Sequence, residues 1–145
     1  MVDIPTLDIE DYDPDLNEEP ESIEDKSGGA LTYAIVGAGQ GGGRMAKAFY
    51  DMGYTKTIAV NTARSDLNGL DIPEDQKFLV DEHGEQGAGK DQAKAEAAIE
   101  KKEQEVFNKF REVFGTNVDR IMICLGVSGG SGGGTVNTLI KVAKK

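Results

Sequence analysis

Residues 31–53 read LTYAIVGAGQGGGRMAKAFYDMG, and this stretch decides the fold. Residues 31–36 form a short apolar run that enters a glycine cluster; residues 45–52 then show helical spacing and stop at Gly53, a C-cap signal. A strand delivered through glycine into a helix is the opening of a βαβ unit. The alternation continues downstream. KTIAVN (56–61) predicts a second strand and KFLV (77–80) a brief third. Residues 91–114 predict one long amphipathic helix, on which Ile99, Val106, Phe107, Phe110, Val113 and Phe114 recur at helical intervals before Gly115 ends it. DRIMICL (119–125) predicts a fourth strand, and a second glycine cluster leads into a helix from residue 135 to the chain end. This order predicts an α/β fold, a Rossmann-like parallel sheet with helices on both faces. Right-handed crossovers gather the loops after the strands along one edge, where a ligand belongs.

The chain has 145 residues, the length of one domain or part of one, with 26 acidic against 16 basic side chains. All of the net charge of −10 falls in residues 1–29, which hold eleven carboxylates and one base, Lys26. That segment also carries Pro5, Pro14 and Pro20 and closes in Ser27-Gly28-Gly29, so it predicts a disordered acidic tail too polar to offset its backbone entropy. Ile4, Leu7, Ile9, Tyr12 and Leu16, spaced between the acids, suit a docking partner, although a solubilising tail explains them more simply. Residues 30–145 sum to zero charge and predict a nucleotide-binding domain. With pI near 4.5 and no basic excess, the chain is a poor replacement for phosphate counterions, so nucleic acid is not an expected partner. One cysteine, no signal-like start and no apolar run of about 18 residues predict a cytoplasmic protein without a membrane span.

Three loops at the expected ligand edge carry glycine: residues 37–43, 84–89 and 126–134. Glycine lets backbone N–H groups approach an anion, and each loop feeds a helix N-terminus with orphan donors, so three together imply a polyphosphate. Two familiar motifs fit only in part. Gly37, Gly39 and Gly42 satisfy the dinucleotide fingerprint, but the second strand ends in Asn61-Thr62-Ala63 without the acid that would hold a ribose. Gly84, Gly89 and Lys90 match the spacing of a P-loop, but Asp91 stands where Ser or Thr must meet Mg²⁺.

The third loop, Ser128-Gly-Gly-Ser-Gly-Gly-Gly134, resembles the glycine-rich signature of the tubulin/FtsZ family, G-G-G-T-G-[ST]-G. Ala38-Gly39-Gln40 with Gly42, Ala46, Lys47 and Phe49 is similar to the first loop and helix of tubulin. Ile58-Ala-Val-Asn-Thr62 and Gly84-Glu-Gln-Gly-Ala-Gly-Lys-Asp91 resemble the second strand and the γ-phosphate loop of FtsZ. The resemblance implies a GTP- or GDP-binding protein, with Mg²⁺ as a possible companion, that assembles with copies of itself head to tail into cytoskeletal filaments. Gly39, Gln40, Gly41 and Gly42 would line the phosphates, Gln40 near phosphate or Mg²⁺, with Asn61 and Thr62 flanking them. Gly87, Ala88 and Gly89 would approach the γ-phosphate. Ser128, Gly129, Gly130, Ser131, Gly132, Gly133 and Gly134 would enclose the phosphate chain, Ser131 standing where the family has Thr.

Five positions depart from the family pattern. Ser128 and Ser131 replace Gly and Thr, Gly133 replaces a Thr or Ser, Arg44 stands where relatives turn Asn or Gln toward base and sugar, and Lys90 adds a cation to the γ-phosphate loop. Family members are longer, and the acids that complete hydrolysis across a subunit interface lie beyond this chain, which is therefore expected to be a fragment without catalytic residues of its own. The alternatives of another class are a Rossmann-type dinucleotide enzyme and a non-catalytic module with a degenerate nucleotide site. His83 has no neighbouring ligand and predicts no metal site, and Cys124 predicts core packing within the fourth strand.

Overall fold

A computed structural model describes residues 23–81, 88 and 91–145. The elements are β1 (Tyr33–Ala38), α1 (Gly39–Asp51), β2 (Thr57–Asn61), α2 (Arg64–Asn68), a 3₁₀ turn (Glu74–Gln76), β3 (Lys77–Leu79), α3 (Gln92–Glu100), α4 (Glu103–Phe114), β4 (Arg120–Leu125) and α5 (Gly130–Ala143). The four strands form one parallel sheet in the order β3-β2-β1-β4, as the alternation predicts.

Alternating residues of the sheet serve two helical layers. Ala34, Val36, Ile58 and Val60 join Ile99, Val106, Phe110, Val113 and Leu139 in the main core beneath α3, α4 and α5. On the other face Ile35 and Cys124 meet Ala46 of α1, and Ala59 packs with Leu67 of α2 and with Ile72. Cys124 is thus a core residue, its thiol pushed up in pKa by burial. β1 is buried on both faces because both layers close on it. β4, flanked by only one strand of the described sheet, leaves Met122 exposed and Ile121 and Ile123 half-buried.

Several boundaries differ from the sequence expectation. α1 starts at Gly39 instead of residue 45, and α5 at Gly130 instead of residue 135, so both glycine clusters run into the first turns of helices. Glycine's helix-breaking tendency is overridden where the helix must touch a neighbouring main chain. The long helix divides at Lys101 and Lys102, where Lys102 leaves helical geometry (φ −108°, ψ 14°). α2 is a single turn, too short to announce itself by periodicity.

Residues 23–27, at the end of the acidic segment, lie against the domain. Ile23 packs on the main core, the Lys26 N–H donates to the Gly53 carbonyl at 3.1 Å, and the Thr55 hydroxyl donates to the Glu24 carbonyl. Gly53 takes φ +103°, and a Cβ there would stand 2.8 Å from the Lys26 carbonyl oxygen. Residues 1–22 lie outside the described residues.

Next to this contact Lys56, only 3% exposed, extends its ammonium group to the carbonyls of Phe114 (3.0 Å) and Asn117 (3.2 Å). A cation at the end of α4 satisfies the Phe114 carbonyl, which the helix leaves orphaned, and complements the helix dipole, while it also serves the Asn117 carbonyl of the following loop. Lys56→Met keeps the stem and strands both oxygens. The variant is expected to lose about 2 kcal/mol of unfolding free energy in urea titrations, the cost of buried acceptors without donors.

Candidate functional site

The order β3-β2-β1-β4 places a topological switch between β1 and β4, since β1 leads into α1 on one face and β4 into α5 on the other. Beyond the carboxyl ends of these strands opens a cleft of about 280 Å³. Its walls are the start of α1 (Gly39, Gln40, Gly41), the turn before and within α5 (Gly126 and Ser128 to Gly132), and Asn61 and Asp66 from the end of β2 and from α2. No lysine or arginine is among these lining residues.

The two helices that start at the cleft differ from a third that starts nearby. α3 is closed by Asp91, whose carboxylate accepts from the N–H groups of Ala93 (3.1 Å) and Lys94 (3.3 Å). α1 begins after Ala38 and α5 after Gly129; neither has a side-chain cap or an acid in its first turn. Their first N–H groups therefore keep donors for a ligand, and the helix dipoles favour one that is negative.

Glycines at the cleft divide into two kinds. A Cβ on Gly41 or Gly126 would meet nothing within 4 Å, so these face open space. Gly42, Gly133 and Gly134, read from the sequence as phosphate-lining, are packed against neighbours. A Cβ would stand 2.2 Å from the Cys124 carbonyl oxygen at Gly42, 2.3 Å from the Gln92 carbonyl oxygen at Gly134, and 2.4 Å from the Gln92 side-chain nitrogen at Gly133. The Gln92 amide nitrogen donates to the Val127 carbonyl at 2.8 Å and lies where a side chain at 133 would begin. Gly39 takes φ +73° and sits against Gly132, joining the two glycine loops.

The other expected residues are placed as follows. Gln40, Asn61, Ser128, Gly129, Gly130, Ser131 and Gly132 line the cleft with Gly39 and Gly41. Thr62 is buried behind it, its hydroxyl 2.5 Å from that of Ser131 and accepting the Ala88 N–H at 2.9 Å. Arg44 is exposed on α1 and does not line the cleft. Gly87, Gly89, Lys90 and His83 lie outside the described residues. Asp66 is an acid that the sequence motifs missed: its carboxylate accepts from Asn61 at 3.2 Å and from Gln40 at 3.5 Å. The missed signal is an acid five positions after Asn61, in the first turn of a helix too short to be foreseen. Among the described residues there is no group of three His, Cys, Asp or Glu side chains that could cage a metal, and no helix long and apolar enough to cross a membrane.

Residues 32–145 match the family model described as the Tubulin/FtsZ family, GTPase domain. The chain belongs to the tubulin/FtsZ family. It is 30% identical over 125 residues to the tubulin-like protein CetZ1 of Haloferax volcanii, covering 79% of this chain and 32% of the relative. It is 31% identical over 130 residues to cell division protein FtsZ 2 of the same organism, covering 86% and 31%. The GDP-bound monomer of CetZ1 superposes with a TM-score of 0.72 at 31% identity, over 79% of this chain and 38% of that one. A GTPγS-bound protofilament of CetZ2 from Haloferax volcanii superposes with a TM-score of 0.68 at 26% identity, over 78% and 36%. The chain thus spans about a third of the length of these tubulin/FtsZ relatives.

Two neighbouring glycines separate packing from ligand access. Gly42→Ala is expected to cost about 3 kcal/mol in chemical denaturation, because the methyl group has only fixed main chain to displace. Gly41→Ala is expected to hold or raise stability by up to about 1 kcal/mol, since alanine is the better helix former, while its methyl group projects into the cleft.

Proposed function

We propose that this tubulin/FtsZ-family domain binds GTP and GDP in the cleft between the starts of α1 and α5. On this reading the complete protein is a cytoplasmic, filament-forming GTPase that joins head to tail. The observation that carries the reading is a cleft under two uncapped helix N-termini, with no basic side chain among its described lining residues, a site suited to an anion held by main-chain dipoles. The GDP-bound and GTPγS-bound relatives support guanine nucleotide as that anion, and the protofilament form of CetZ2 supports self-association.

The N–H groups of Gly39, Gln40 and Gly41 and of the turn from Ser128 to Gly132 hold the phosphates, with the Ser131 hydroxyl as a further donor. Asn61 borders them, and residues 87–89 belong to the γ-phosphate side. Mg²⁺ usually arrives on phosphates and needs only one or two protein carboxylates. The half-buried Asp66 beside Gln40 fits that requirement, because a carboxylate this close to a polyphosphate needs a cation between them. Held by Asp66 and the phosphates, Mg²⁺ would supply neutralisation of phosphate charge there. Hydrolysis then depends on acids that a neighbouring subunit supplies at the head-to-tail interface, so positioning and charge stabilisation replace covalent catalysis.

Calorimetric titration of the chain with GTP, GDP, ATP and NAD tests the reading. The expected result is binding of GTP and GDP, with ATP and NAD weaker by about tenfold or more, a difference of about 1.4 kcal/mol. Tight NAD binding without a GTP signal would replace the proposal with a dinucleotide enzyme. Light scattering of the complete gene product with GTP and with GDP tests assembly, and polymer that ignores the nucleotide would sever filament formation from the cleft.

A further inference from the structure

Thr62 stands at the end of β2, 3% exposed, behind the wall of the cleft. Its Oγ1 accepts the N–H of Ala88 at 2.9 Å and lies 2.5 Å from the Oγ of Ser131, and either hydroxyl of that pair has the geometry to be the donor. Among the described residues, counting protons selects one direction. A hydroxyl carries one hydrogen and can accept two bonds. If Ser131 donated to Thr62, the Thr62 hydrogen would need another acceptor, and among the described residues its oxygen has no partners besides Ala88 and Ser131. A buried O–H without an acceptor is costly. Donation from Thr62 to Ser131 satisfies the buried group fully. It also leaves the hydrogen of Ser131 unengaged on a residue that lines the cleft in the first turn of α5.

We propose that Thr62 is a positioning residue that sets the Ser131 hydroxyl as a hydrogen-bond donor to a nucleotide phosphate, through the chain Ala88 N–H to Thr62 O–H to Ser131 O–H to phosphate oxygen. The inference rests on the nucleotide reading of the cleft and adds a residue that does not touch the ligand. Each donor in such a chain polarises the next, and the last bond is strengthened by the phosphate charge. The chain also ties three segments together, since Thr62 follows β2, Ala88 precedes α3 and Ser131 opens α5.

The test is a double-variant cycle on the whole chain, read by calorimetric titration with GTP. Thr62→Val, which keeps the shape and removes the hydroxyl, is expected to weaken GTP about tenfold, a difference of one decade in Kd. Ser131→Ala should lose a similar factor, the pair together no more than the worse single variant, and Thr62→Ser should return to within about threefold of the parent. Additive losses, or a Thr62→Val protein that binds GTP like the parent, would overturn the proposal. If Thr62→Val does not fold, Thr62→Cys enters the same cycle, its thiol a weaker donor and acceptor. Amide exchange at Ala88 in the nucleotide-free chain gives a readout independent of the ligand: Thr62→Val should accelerate it and Ser131→Ala should not. Unchanged exchange in Thr62→Val refutes the relay, whereas a parent chain that binds no GTP but shows the expected exchange refutes the nucleotide reading alone.

Discussion

Helix α1 lies on β1 and β4 at a separation that leaves no room for a side chain at residue 42. A Cβ there would stand 2.2 Å from the Cys124 carbonyl oxygen, and one at Gly37 would stand 2.3 Å from the Gly42 carbonyl oxygen. The cleft follows from this contact. Because the helix starts on top of the strands instead of beside them, its first N–H groups sit over the switch point between β1 and β4, where α5 delivers its own. Gly39 against Gly132 then brings the two starts together. Larger residues at these positions would push the helices apart and separate the donors that the site needs side by side.

Among the described residues the cleft offers main-chain donors and no cationic side chain, and this reconciles the acidic composition with the proposed anionic ligand. A chain of net charge −10 looks hostile to a polyanion, but the excess belongs entirely to residues 1–29, and among the described residues the walls of the cleft hold one carboxylate, Asp66, and no base. The end of the acidic segment is pinned by Gly53 and Thr55, which precede β2 and so lie at the amino ends of the strands, opposite the glycine loops. Six residues of parallel strand span about 20 Å, about two and a half Debye lengths at physiological salt, so this anchorage is electrostatically remote from the cleft.

The parallel sheet, its two helical layers and the meeting of the glycine loops after β1 and β4 at one edge were legible in the sequence, because apolar strand runs and helical spacing report which surfaces are buried. The division of labour among the glycines was not. Gly41 and Gly42 are neighbours in one cluster, yet one faces open space and the other touches β4, a distinction set by the rotation of a helix about its axis and by a strand distant in sequence. Asp66 escaped for a similar reason: its partners Gln40 and Asn61 converge only when β2 and α1 pack. The break at Lys101 and Lys102 was hidden because the apolar positions on either side keep helical spacing across it.

Gln92 and Gly133 carry a consequence for how the start of α5 can be altered. The amide of Gln92 fills the space beside Gly133 and bonds the Val127 carbonyl from there. A side chain at 133 would displace that flexible amide from its bond, and its Cβ would also stand 2.9 Å from the Val127 carbonyl oxygen. Shortening residue 92 therefore removes only part of the obstacle, because the main chain of the turn before α5 still stands against any residue larger than glycine.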